Sequence, residues 1–175
     1  MHGIIYLQLK KFLTTVTDTD KVKTIYQDAG VQGKFYDATK HYPDEELVSI
    51  LNSACKHLNL DREIALNEFG KFMTPGLITT YKGYIKPEWK CLDLLENIEN
   101  TMHKAVRASN PGAEPPRLVV TRVSPGEVRI DYTSPRKMIS LGEGIIAKIA
   151  EHFNEGISIV KSTIPNGTRL TVKKQ

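Results

Sequence analysis

Cysteine is scarce, neither sign of charge dominates, and no apolar run is long. Each shortage removes a class of protein. The two cysteines, Cys55 and Cys91, fall in separate helical stretches without a CxxC spacing, so the sequence offers no disulfide framework and no complete zinc site. They read as free thiols of a reducing cytoplasm, a bridge between them being the alternative. Nowhere do about 18 apolar residues run together, so no transmembrane helix is expected. The apolar stretch after Met1 is interrupted by Lys10-Lys11 too soon for a signal peptide. Lys and Arg number 24 against 20 Asp and Glu, a formal charge of +4. Apart from Lys10-Lys11 and Lys173-Lys174 the basic residues are scattered, without the stripe that nucleic acid or a membrane surface would call for.

What is present is a change of hydrophobic period half-way along the chain. The 175 residues fit one domain able to bury roughly two-thirds of its unfolded surface. Ile5, Leu9, Phe12, Leu13 and Val16 recur at helical spacing over residues 4 to 16, and Asp18 opens a second helix that ends at Gly30. Residues 30 to 41 lose periodicity and read as a loop. Pro43-Asp44-Glu45-Glu46 opens a third helix with acids at its positive end. Asp61 caps a fourth, expected to stop before Pro75-Gly76, and Pro87-Glu88 begins a long helix running past His103 to about Ala108. From Leu118 the period becomes two: strands over 118–123 and 127–132 joined by Ser124-Pro125-Gly126, a helix carrying Leu141, Ile145, Ile146, Ile149 and Phe153, and strands over 156–161 and 169–173 joined by Asn166-Gly167. The expected class is α+β, a mostly helical first half followed by a four-stranded antiparallel sheet with a helix packed against it.

Two stretches carry chemistry. Leu95, Ile98, Met102 and Val106 form the buried stripe of the long helix, and His103, about 100° from Met102, sits at its edge with an imidazole that can look into a cavity. Alone, such a histidine is more often structural. In an extended segment Tyr132, Ser134 and Arg136 share one face, and Pro135 keeps Ser134 out of the helical region. Two hydroxyls and a guanidinium make a receptor for one or two carboxylates, the bland alternative being an exposed polar strand face.

His103, the Tyr-x-Ser-x-Arg motif at Tyr132, Ser134 and Arg136, and the segment Asn110-Pro111-Gly112-Ala113-Glu114-Pro115-Pro116-Arg117-Leu118 between them closely resemble the haem-nitric oxide/oxygen binding (H-NOX) domains, bacterial relatives of the haem domain of soluble guanylate cyclase. The resemblance covers essentially the whole chain, with Met1-x-Gly3 at its start. It implies a single H-NOX domain over 1–175, divided into a distal helical part to about residue 60 and a proximal part with the sheet beyond it. It implies haem b, with His103 as proximal ligand of the iron and Tyr132, Ser134 and Arg136 on the propionates. Pro116 matches the proline that presses on the macrocycle, and Ile5 a distal-side residue of the first helix. Oxygen-binding members carry a distal tyrosine where this chain has Leu141, and Leu9 and Met73 are apolar where those members can be polar. Tyr6, Tyr81 and Tyr84 are the other hydroxyls that could reach the pocket. Bound O2 needs a donor and NO and CO do not, so the expectation is an NO sensor, with CO as a laboratory ligand, in which NO binding releases His103.

No kinase or cyclase motif occurs, and the resemblance implies a separate partner, a histidine kinase or a cyclic-di-nucleotide enzyme. Three other readings compete: an O2 sensor of the same fold, a haem-free interaction module of the same fold, and an enzyme. The last has thin support. Cys55-x-His57 lacks a third ligand, and His41, His57 and His152 have no acid-base partner at telling spacing.

Overall fold

The computed structural model describes residues 1–109 and 112–175; Asn110 and Pro111 of the segment quoted above lie outside the described residues. The first helix, α1 (Gly3–Val16), buries Tyr6, Leu9, Phe12 and Leu13, the face its spacing marks. In α2 (Thr19–Asp28) the Asp18 carboxylate accepts from the Lys21 amide at 2.7 Å, removing one of the orphan donors of the first turn. Asp44, Glu45 and Glu46 occupy the first turn of α3 (Asp44–Leu58), and Asn59 ends it in the left-handed region at φ 51°. Asp61 accepts from the Glu63 and Ile64 amides at the start of α4 (Arg62–Tyr81).

Helix α4 corrects the expected stop: it runs through Pro75 for 20 residues. An interior proline costs about 3 kcal/mol. Against this, Leu66, Phe69 and Met73 are almost fully buried on the same helix, and each such side chain contributes about 1.5–3 kcal/mol. Around the proline, the hydroxyls of Thr74, Thr79 and Thr80 donate to the carbonyls of Gly70, Pro75 and Gly76. Burial therefore carries the helix past its breaker.

The long helix expected from Pro87 starts later and is interrupted. Trp89 closes a turn on the Lys86 carbonyl, and the Lys90 amide donates to Asp93 at 2.9 Å, which sets the start of α5 (Cys91–Asn97). A π-helical turn, Glu99–His103, follows, and α6 (Lys104–Ser109) completes the run.

Strands β1 (Arg117–Ser124) and β2 (Glu127–Thr133) form the first hairpin. Helix α7 (Ile139–His152) follows, and β3 (Ile157–Ile164) with β4 (Gly167–Lys174) forms the second. The sheet order is β1-β2-β4-β3, antiparallel throughout. Alternation along β2 and β4 buries Val128, Ile130, Leu170 and Val172 against a cluster that includes Leu94, Leu95 and Met102 from the interrupted helix and Ile146 and Ile149 from α7. A second cluster fills the helical half: Tyr6, Leu9, Ile25, Ile50, Leu66, Phe69 and their neighbours, with Met138 reaching in from the other half. The observed architecture is the α+β arrangement expected.

Helices α4 and α7 join the halves through glycine. A Cβ on Gly70 would lie 2.2 Å from the Leu141 carbonyl oxygen, and one on Gly144 would lie 2.0 Å from that of Asn67. Only hydrogen fits at either point, so the two backbones touch and Leu141 is held at a fixed height over α4. Among the described residues no helix is long and apolar enough to cross a membrane, and Cys55 and Cys91 are both free.

Candidate functional site

His103 ends the π-turn, where its amide donates to the Ile98 carbonyl five residues back at 3.1 Å. Single π-turns inside α-helices are frequent at functional positions. Its Nδ1 lies 2.7 Å from Glu99 Oε2, and Arg107 Nη2 lies 2.6 Å from the other oxygen, Glu99 Oε1. The His103 side chain is only 17% exposed. Burial, the largest influence, pulls its pKa below the ordinary histidine range, and the neighbouring Glu99 offsets that only in part. Burial pushes the Glu99 carboxyl up, but its hydrogen bonds to His103 and Arg107 outweigh this and hold it below the usual carboxylate range. The pair is therefore a neutral imidazole donating Nδ1–H to a carboxylate, which leaves the Nε2 lone pair as the free ligand atom. Glu99 is a residue the sequence reading missed, although its spacing of four from His103 was a visible signal.

The segment expected to form a carboxylate receptor, at the end of β2, differs in one respect from expectation. The strand stops at Thr133. Ser134 to Lys137 then form a turn in which the Lys137 amide donates to the Ser134 carbonyl and Lys137 takes φ 50°. Even so, Tyr132 is buried and Ser134 and Arg136 half-buried, while Thr133, Pro135 and Lys137 are exposed. The one-sided pattern survives the turn. Ser134 Oγ accepts from the Arg136 amide at 3.3 Å.

The Arg136 guanidinium ties three segments together. Nε donates to Asp44 Oδ2 at 2.6 Å and Nη1 to the Glu114 carbonyl at 2.7 Å. The other Asp44 oxygen accepts from the Met1 ammonium at 2.6 Å. Burial pushes the Asp44 carboxyl up, yet the two cations hold it below the usual aspartate range. Glu114 immediately precedes Pro115 and half-buried Pro116, so this one side chain connects the proline pair, the first turn of α3 and the end of β2. Asp44 was not anticipated as its partner. The two are 92 residues apart, and nothing local marks them.

Leu9 and Leu141 line a small void of about 10 Å³ together with Leu47, Leu51, Leu66, Phe69 and Met138. Met73 is buried in the same cluster and Ile5 packs against it. No polar side chain lines the void. Several hydroxyls that could supply a donor are engaged or elsewhere, while that of Tyr26, buried in the same cluster, has no hydrogen-bond partner among the described residues. Tyr6 donates to the Pro43 carbonyl at 2.5 Å, and Thr74, beside Met73, donates to the Gly70 carbonyl. Tyr81 packs in the sheet-side cluster, and Tyr84 is 51% exposed. Elsewhere, His57 lies 3.4 Å from Asp28, and among the described residues no three His, Cys, Asp or Glu side chains converge as a metal site.

These residues fit haem. A buried imidazole with one nitrogen already satisfied would have the other available to bind an iron. An arginine with N–H groups left over beside a serine and a tyrosine suits propionates, and an apolar wall suits a macrocycle. The class that fold and site define is a haem-binding domain. The chain belongs to the haem-NO-binding family, whose profile matches residues 2–161. Members of the family are haem-based gas sensors, and haem is the cofactor.

The fold is that of solved H-NOX proteins. A mutant H-NOX protein from K. algicida, in its unliganded Fe(II) form, superposes with a TM-score of 0.93 at 23% identity, over 100% of this chain and 97% of that one. An H-NOX protein from S. oneidensis in the Fe(II)NO state gives 0.92 at 21% identity over 100% and 99%. An oxygen-binding H-NOX domain related to soluble guanylate cyclases, in its oxygen complex, gives 0.82 at 20% over 100% and 95%. No curated protein sequence matches the chain.

Proposed function

We propose that this protein is a nitric oxide sensor that discriminates against O2 and reports to a separate signalling protein in the cytoplasm. The observation that carries the proposal is the apolar wall formed by Leu9, Leu47, Leu51 and Leu141, with the hydroxyls of Tyr6 and Thr74 engaged on backbone carbonyls. Bound haem supplies an iron whose open position takes a diatomic gas. Stable O2 binding there would call for a hydrogen-bond donor, and none lines this wall, whereas NO and CO would need none. His103 is the proximal ligand in this reading, and Tyr132, Ser134 and Arg136 hold the propionates.

Signalling follows from what these residues are attached to. His103 joins the cofactor to the interrupted helix, and Arg136 joins the propionate side to Asp44 on α3. We take the helical half, to about residue 60, as the distal subdomain and the remainder as the proximal one. Release of His103 on NO binding would remove the fixed point of the proximal side. Pro116 and the Arg136–Asp44 contact then set how far the helical half turns against the sheet half. Release of one tether between two packed bodies is a bias on a two-state element, which is what a sensor needs. A histidine kinase or a cyclic-di-nucleotide enzyme is the class of partner that would read the motion.

The test is His103→Gly with and without added imidazole. The variant should retain haem only when imidazole fills the ligand position, and NO should no longer alter partner activity once the tether is gone. Haem retention without imidazole, or unchanged control of the partner by NO, would contradict the assignment.

A further inference from the structure

The Glu99 carboxylate stands between two groups of opposite effect. One oxygen accepts from His103 at 2.7 Å, the other from Arg107 at 2.6 Å, and the three residues lie at i, i+4 and i+8 on one side of the interrupted helix. Glu99 is 22% exposed and His103 17%, so the contact is largely shielded from water, while Arg107 is 43% exposed. A carboxylate that accepts Nδ1–H pushes electron density through the ring to Nε2 and makes the imidazole a stronger ligand. A guanidinium on the same carboxylate withdraws part of that density.

We propose that Glu99 and Arg107 are positioning residues that set how firmly His103 holds the haem iron, and hence how readily NO releases it, with Glu99 strengthening the bond and Arg107 weakening it. This deepens the sensor reading and rests on His103 being the proximal ligand. No atom is transferred: the proton stays on Nδ1 throughout, and only the strength of its hydrogen bond changes. The ring orientation is set by the same contact. Without Glu99 the imidazole could turn about its χ2 angle, since no other hydrogen-bond partner fixes it among the described residues.

The experiment uses the reduced haem-loaded protein and resonance Raman detection of the iron–histidine stretch, together with the fraction of five-coordinate spectrum formed on adding NO. Glu99→Gln keeps the size of the side chain and a weaker acceptor, so the stretch should move to lower frequency and the five-coordinate fraction should rise. Glu99→Leu should exaggerate both and speed haem loss roughly tenfold or more, the usual scale for removing a partner of a metal ligand. Arg107→Gln should do the opposite, raising the frequency and leaving more of the NO form six-coordinate.

A residue that merely packs the helix would shift both variants the same way. An unchanged stretch in Glu99→Leu, or the same direction of shift in Glu99→Gln and Arg107→Gln, would overturn the proposal while leaving His103 as the ligand. A wild-type spectrum with no iron–histidine stretch would overturn the sensor reading and this proposal with it.

Discussion

Gly144→Ala is the substitution for which the fold predicts the sharpest consequence. A Cβ there would sit 2.0 Å from the Asn67 carbonyl oxygen, with the Asn67 carbonyl carbon at 2.8 Å and its Cα at 3.1 Å, all backbone of α4. No rotamer change can relieve a clash with backbone, so α4 and α7 must move apart. Overpacking of this kind costs about 1–3 kcal/mol and sometimes more, while alanine in place of glycine in a helix returns at most about 1 kcal/mol. The net expectation is a loss of about 1–2 kcal/mol, which for a chain of this size lowers Tm by roughly 2–8 °C. The control is two residues away. A Cβ on Gly142, in the same helix, would meet nothing within 4 Å, so Gly142→Ala should stabilise by about 0.5–1 kcal/mol. Thermal unfolding followed by circular dichroism reads both. Equal stability of the two variants would refute the claim that backbone contact at Gly144 sets the spacing of the helices.

Leu141→Tyr would place a hydroxyl on the apolar wall, and the reduced variant should form an oxy complex in air that the parent does not, read by absorption. Asp44→Ala should cost the haem-free protein about 1–3 kcal/mol, between the values for exposed and buried pairs, because it leaves Arg136, 11% exposed, with the Glu114 carbonyl as its remaining protein partner among the described residues; denaturant unfolding at pH 7 measures it. The Asp44 carboxyl is held below its ordinary range, so its contribution is present above about pH 4 and is lost as the pH falls through the lower, folded value. Asp44→Asn should accordingly flatten the acid side of the stability profile, and a profile unchanged from the parent would count against the ion pair.

Most of the secondary structure was legible because it is local. The Asp18 and Asp61 caps, the Asn166-Gly167 hairpin and the change from helical to alternating period each declare themselves within a few residues. Pro75 misled because its local cost is real and only the burial of Leu66, Phe69 and Met73 overrides it. In the candidate site the residues proposed for it stand out in the sequence and their partners do not. His103 and the Tyr132, Ser134 and Arg136 pattern stand out by residue type and spacing. Asp44 is brought to Arg136 only by folding, and Leu47, Leu51, Leu66, Phe69 and Met138 look in sequence like any core residues, with nothing to say that they share a wall with Leu9 and Leu141. Glu99 was within reach of a helical spacing argument, and the π-turn that seats it against His103 was not.

An NO sensor with a releasable histidine and no distal donor has a characteristic visible spectrum, recorded on the purified protein reduced without oxygen and then exposed separately to air and to NO. The expected result is a five-coordinate ferrous haem that forms no oxy complex in air and gives a five-coordinate spectrum with NO. A stable oxy spectrum would contradict the proposal by showing that a donor reaches the distal side.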